Sequence, residues 1–229
     1  MSAGQPPEII IEIFGEGSTD VGGITDEPTV ATSGVVPILT RKLCGDPDNL
    51  RVRPQRYMFL SRKKDRWQKV RFVKRQARIN GSQGCVFIVD TEGDRKSVLA
   101  DLLKGRDFES PEFPMAVGVA HPCIEAWMLA DASAVKQGLG IDGRRPVVPT
   151  DPESIPMYDQ NGNKNLKNIL KDLHPRGKHP NLVEKSAIAE FLNLDTAASV
   201  CPSFAAFATE VQERIAPLFP ALESEQPSP

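Results

Sequence analysis

Residues 8–14 read Glu-Ile-Ile-Ile-Glu-Ile-Phe, a β-branched and almost unbroken apolar run that closes on Gly15-Glu16-Gly17. A strand with one wet face alternates apolar and polar residues. This one barely does, which suits a strand buried on both faces of a parallel sheet. Parallel neighbours need a crossover between them, usually a helix, so the rest of the chain should supply strand and helix in alternation.

The next residues do so. A polar, Gly-containing stretch to about Thr32 leads to an expected helix over Val35–Leu43, with Ser33 as a candidate cap. A second strand is expected within 50–60, and Pro54 places it at a sheet edge because proline has no N–H to give a ladder. Over 62–79, Trp67, Val70, Val73 and Ala77 recur at spacings of three and four, which predicts a helix with one apolar face, stopped by Asn80-Gly81. Residues 85–89 form a third apolar run and 115–120 a fourth, with helices expected over 96–103 and over 122–130, the latter with proline in its first turn. The expected fold is α/β: a mainly parallel four-stranded central sheet flanked by helices, joined by right-handed crossovers and occupying residues 1–138.

From about Leu139 to Asn163, Gly, Pro and Asp dominate without periodicity, so 139–164 is expected to be a lid or linker. Short amphipathic helices are expected at 166–173, 183–194 and 204–215, a helical extension spanning 165–216 and packed on the same domain. A Pro-, Ser- and Glu-rich tail, 217–229, is expected to fray.

The 229 residues suit one domain with such an appendage. Lys+Arg (28) nearly balance Asp+Glu (30), so the net charge of −2 nominates no partner by itself. Cys44, Cys85, Cys123 and Cys201 contain no Cys-x-x-Cys pair. They are expected to be free thiols of a cytoplasmic protein without a secretory leader. The longest apolar runs fall far short of the roughly 20 residues a membrane helix needs, so no membrane partner is expected.

Ligands of open α/β sheets bind beyond the carboxyl ends of the strands. Glu16, Asp90 and His121 follow strands directly, and Glu92 and Asp94 follow Asp90 by two and four residues. Hard cations such as Mg²⁺ or Mn²⁺ take oxygen ligands of this kind. Carboxylates gathered at one edge repel unless a cation or protons neutralise them, which makes metal the economical explanation. Any one of these acids also reads as a loop residue or helix cap. Glu125, on the helix that begins at the same edge, is a candidate metal or water ligand, or a first-turn acid that complements the helix dipole. Trp127 reads as packing. His121, Cys123 and Cys85 lack the paired spacing of a structural zinc site. The glycines around Glu16 do not complete a dinucleotide fingerprint, and neither a P-loop nor a Gly-x-Ser-x-Gly elbow occurs.

Arg62, Lys63, Lys64, Arg66, Lys69, Arg71, Lys74, Arg75 and Arg78 crowd one expected helix with only Asp65 opposing them, after Arg51, Arg53 and Arg56. That density is expected of a surface that binds nucleic-acid backbone, against the alternatives of a solvated face or an acidic protein partner. Lys164, Lys167, Lys171, Lys178 and Lys185 dot the C-terminal part. One of them delivered to the acidic edge would neutralise charge on a scissile phosphate, although surface lysine is the ordinary reading.

Four segments carry a family resemblance: Glu16-Gly17-Ser18-Thr19-Asp20, Val89-Asp90-Thr91-Glu92-Gly93-Asp94, Ile124-Glu125-Ala126-Trp127-Met128-Leu129-Ala130-Asp131, and Cys201-Pro202-Ser203-Phe204. In their order and spacing the chain resembles the Toprim-like proteins, specifically a bacterial family of uncharacterised function related to nucleases of the overcoming-lysogenization-defect type. The resemblance implies a Toprim fold in which the first Glu is a metal ligand or general acid/base and an Asp-x-Asp pair holds Mg²⁺. Those roles fall on Glu16, Asp90 and Glu92. Position 92 is Glu where that pair usually has Asp, so either Glu92 or Asp94 is the second ligand. The resemblance also implies a role in phage defence beside a partner ATPase of the ATP-binding-cassette type. The expected function is a Mg²⁺-dependent nuclease or phosphodiesterase; the alternative is a catalytically inactive nucleic-acid-binding or ATPase-adaptor module. A third reading, a small-molecule phosphotransferase, would need a closed pocket beneath residues 139–163.

Overall fold

The computed structural model describes residues 6–15, 21–22, 33–56, 65–91, 94–108, 110–158 and 165–219. Its centre is a four-stranded sheet of β1 (Ile9–Gly15), β2 (Leu50–Arg56), β3 (Gly84–Asp90) and β4 (Met115–Ala120) in the order β2-β1-β3-β4, with every pairing parallel. The expected α/β class with a parallel sheet is what the chain adopts. β2 lies at an edge, where Pro54 is tolerated, and the part of the expected strand beyond residue 56 lies outside the described residues.

Helix α1 (Val35–Leu43) follows β1, α2 (Arg66–Ile79) follows β2, and α3 (Arg95–Asp107) follows β3. The period of two along the strands sorts their side chains between two cores. Ile11, Ile13, Val86, Ile88, Ala116 and Ala120 pack with α1 on one face. Phe14, Cys85, Phe87, Val89, Val117 and Val119 pack with Val70, Val73 and Ala77 of α2 and with Val98 and Leu102 of α3 on the other. Glu12 breaks the apolar pattern of β1. It is fully buried, with Asn80 Nδ2 donating to it at 2.8 Å and Arg53, its register partner on β2, at 3.5 Å.

After β4 come α4 (Ile124–Leu129), α5 (Ala132–Gly138), a 3₁₀ turn at Pro152–Ser154, α6 (Asn165–Leu173), α7 (Leu182–Phe191), α8 (Leu194–Val200) and α9 (Pro202–Arg214). Leu166, Leu170, Ile188, Phe204, Phe207 and Val211 of these later helices join the same core as α1 and β1. α9 covers β4, the second edge strand. Glu210 accepts from the Val117 N–H at 3.3 Å, while Arg106 of α3 donates to both oxygens of Glu210 at 2.5 and 2.6 Å. A Cβ on Gly118 would stand 2.7 Å from the Phe207 ring, so the missing side chain leaves room for that ring against β4.

The described part of the expected lid is tethered. Glu153 in the 3₁₀ turn accepts from Ser203 N at 2.8 Å and lies 3.6 Å from Arg95. No helix among the described residues is long and apolar enough to cross a membrane.

Candidate functional site at the carboxyl edge of the sheet

The chain moves from β1 outward to β2 and then back across β1 to β3, so the carboxyl ends of β1 and β3 flank the point where the winding reverses. Open α/β sheets form their ligand crevice there. β1 leaves the sheet at Gly15, where a Cβ would stand 2.7 Å from Val21 and 3.3 Å from Ile88. The residue after it, Glu16, lies outside the described residues, as do Glu92, Arg62 and Lys63.

Asp90 closes β3 in register with Ala120 of β4. Its Oδ1 accepts from the Ile124 N–H at 3.1 Å, which ties the end of β3 to the first turn of α4. Asp94 is exposed and caps α3, accepting from Lys96 N at 3.0 Å, the capping alternative that its sequence position already offered.

Glu125, one residue into α4, is 1% exposed. Lys185 of α7 donates to its Oε1 at 2.8 Å, and Lys167 of α6 stands 3.6 Å away. Burial pushes this carboxyl upward, but the two ammonium groups outweigh it and hold the group below the ordinary glutamate range. Oε2 is buried and accepts no hydrogen bond from a nitrogen or oxygen donor. The Cys123 thiol is driven well up by burial and then by the charges of Glu125 and Asp90, which both lie near it. Lys185 and Lys167 are thus cationic partners of Glu125 among the described residues, a contact that its sequence readings as a metal or water ligand, or as a first-turn acid, did not include.

Lys185 is placed by three constraints on α7. A capping box starts the helix: Asn181 Oδ1 accepts from Glu184 N at 2.9 Å and Glu184 accepts from Asn181 N at 2.8 Å. Gly138 of α5 lets the helix approach, since a Cβ there would stand 2.5 Å from Ile188 N. Lys42 of α1 donates to the carbonyls of Ala189, Glu190 and Leu192 at 3.2, 2.6 and 2.6 Å, which satisfies the far end.

Two of the recognised segments meet here. Trp127 donates from Nε1 to Ser203 Oγ at 2.7 Å and packs against Phe204 and Phe207 with ring centroids 5.3 Å away in both cases. His121 N also donates to Ser203 Oγ, at 3.3 Å. Trp127 is fully buried, which fits its expected packing role.

As a cradle for a divalent cation, the described residues offer Asp90 at a strand end. Asp94 is engaged in a cap and Glu125 by two lysines. No group of three or more His, Cys, Asp or Glu side chains arranged to share an ion occurs among the described residues.

On α2, Arg66, Arg75 and Arg78 are exposed and Lys69 and Arg71 are partly so. Lys74 departs from the expected basic face: it is 3% exposed and donates to the Arg106 carbonyl at 2.7 Å, because its position shares the inward side with Val70, Val73 and Ala77. Lys185 was visible in the sequence as one lysine of several. Its selective signal is the Asn181-x-x-Glu184 box immediately before it.

No curated protein and no solved structure matches the chain. A family model described as a domain of unknown function, DUF4276, matches residues 33–212. That match takes in α1 through nearly all of α9, with Asp90, Glu125, Lys167 and Lys185 inside it, and the chain therefore belongs to the DUF4276 family.

Proposed function

We propose that this protein is a metal-dependent nuclease or phosphodiesterase acting on nucleic acid. The observation that carries the reading is Asp90: a carboxylate at the end of β3, beside the exit of β1, where the winding of the sheet reverses. Mg²⁺ or Mn²⁺ would be held by Glu16, Asp90 and Glu92 or Asp94, the set that the resemblance to Toprim-like nucleases implies. Bound there, the ion would polarise a phosphate and supply a nucleophilic water. Glu125 enters as the anchor of Lys185 and Lys167. Lys167, more exposed than Lys185, stands between the buried carboxylate and the surface, where an ammonium group suits a phosphate oxygen. The exposed cations of α2 would hold the backbone, favouring phosphate over base recognition. A role in phage defence with a partner ATPase belongs to the same proposal and rests on the resemblance alone.

One observation favours the second reading, a nucleic-acid-binding or ATPase-adaptor module without turnover: the charge of Glu125 is balanced by Lys185 and Lys167 of this chain. The two are separated by incubating mixed DNA and RNA substrates with Mg²⁺ or Mn²⁺ and the wild type, Asp90→Ala or Asp90→Asn, with circular dichroism confirming that each variant is folded. Metal-dependent cutting lost in both variants supports the nuclease. A folded wild type that binds but never cuts, even with the ATPase present, leaves the binding module.

A further inference from the structure

The described part of α2, Arg66–Ile79, contains no acidic residue, in a chain whose net charge is −2. Its outward stripe nevertheless carries apolar groups: Phe72 is 42% and Ile79 71% exposed, with Arg75 between them. Beside this stripe, where α3 ends, Phe108 is 55% exposed. Soluble surfaces tolerate scattered apolar residues, but here exposed Phe108 and partly exposed Trp67 hold cationic side chains against their rings. The Arg71 guanidinium lies 4.0 Å from the Phe108 ring centre and 5.5 Å from that of Trp67, and the Lys104 ammonium lies 5.1 Å from Trp67. Trp67 and Phe108 are 5.6 Å apart and tilted by 39°. Rings that hold long cationic side chains in this way reduce the ordering cost of each phosphate contact. Gly105 makes the cluster possible. A Cβ there would stand 2.5 Å from the Trp67 carbonyl oxygen, so the absence of one lets α3 cross close enough to bring Phe108 and Lys104 beside α2.

We infer that this face of α2 and the end of α3 bind single-stranded nucleic acid, stacking unpaired bases on Phe72 and Phe108 and holding phosphates with Arg71, Arg75 and Lys104. A duplex keeps its base faces stacked inside and would meet only the cations; exposed rings add affinity only where bases are unpaired. The inference deepens the nucleic-acid reading above by naming the class of substrate. It needs no metal and no turnover.

The test is fluorescence anisotropy in EDTA with dye-labelled oligo-dT and a duplex of equal length. The proteins are wild type, Phe72→Leu/Phe108→Leu, which retains apolar bulk, and Arg71→Gln/Arg75→Gln. The wild type should prefer oligo-dT. Loss of both rings should weaken oligo-dT binding about tenfold or more, since stacking on one ring is worth that order, with duplex binding changed less than twofold. The arginine variant should weaken both ligands and lower the salt dependence. Equal affinity for both ligands in the wild type, or a folded ring variant that binds oligo-dT as the wild type does, overturns the inference. So does a ring variant that loses only co-purification with a protein partner. Because EDTA removes the metal, failure here leaves the nuclease reading to its own cleavage assay, and failure of that assay leaves this result intact.

Discussion

Glu125 and Lys185 are 1% and 6% exposed, so each charge depends on the other. Removing one member of a buried pair leaves an uncompensated charge, whereas replacing both by apolar groups of similar size can be nearly neutral. Lys185→Met should therefore cost about 3–5 kcal/mol in urea denaturation at pH 7, and Glu125→Leu/Lys185→Met should recover most of it. Equal losses in the single and double variants would show that the pair contributes little as a pair. The pH dependence has a definite sign. The folded carboxyl lies below its ordinary value of 4.5, so its stabilisation is fully present above that value and is lost as the pH falls through the lower folded one. In Lys185→Met, burial has one fewer ammonium group opposing it. The stability gap between wild type and variant should accordingly narrow on acidification, and a gap that widens would contradict the pairing.

At the scale of elements, the position of that lysine depends on how α7 is seated. Asn181→Ala removes the side-chain half of the capping box and should cost about 1 kcal/mol. Gly138→Ala meets backbone of α7, which cannot rotate away, so α5 and α7 must separate. The cost should be about 1–3 kcal/mol, read in the same denaturation experiment; a Gly138→Ala protein as stable as wild type would mean that the helices do not cross so closely. These constraints also show where the sequence was legible. The apolar runs at 8–14, 85–89 and 115–120 found β1, β3 and β4 to within a residue at each end, because strands buried on both faces have little polar interruption to blur them, Glu12 being the exception in β1. α5 and α8 were missed. Both are short and rich in Ala and Ser, with little apolar periodicity, and each begins on a cap, Asp131 and Asn193. The Asn193 cap also explains why the expected helix 183–194 is two elements, α7 ending at Phe191 and α8 beginning at Leu194. Asp90 was legible as a strand-end acid. The partnership of Glu125 with Lys185 and Lys167 was not, since no local pattern reports a contact across 60 residues of chain.

For the whole molecule, the sheet is the wall between two cores, and the later helices complete one of them. Phe204, Phe207 and Val211 lie in the same cluster as Ile11 and Val86, while Arg106 and Glu210 bind α9 to α3 of the opposite layer. Neither face of the sheet can lose its cover without exposing strands that the other face needs. Unfolding should therefore be a single cooperative transition. The two tryptophans test this, because Trp127 is buried in the core of the later helices and Trp67 sits on α2 in the other layer. In a Trp67→Phe protein, the fluorescence of Trp127 alone should follow the same urea midpoint as far-UV circular dichroism. If Trp127 reported an earlier transition, the helices after β4 would be a separately unfolding unit, and the Glu125–Lys185 pair would sit on the boundary that opens first. If the midpoints coincide, the pair lies within the single cooperative core, and its loss should lower the one midpoint that both signals report.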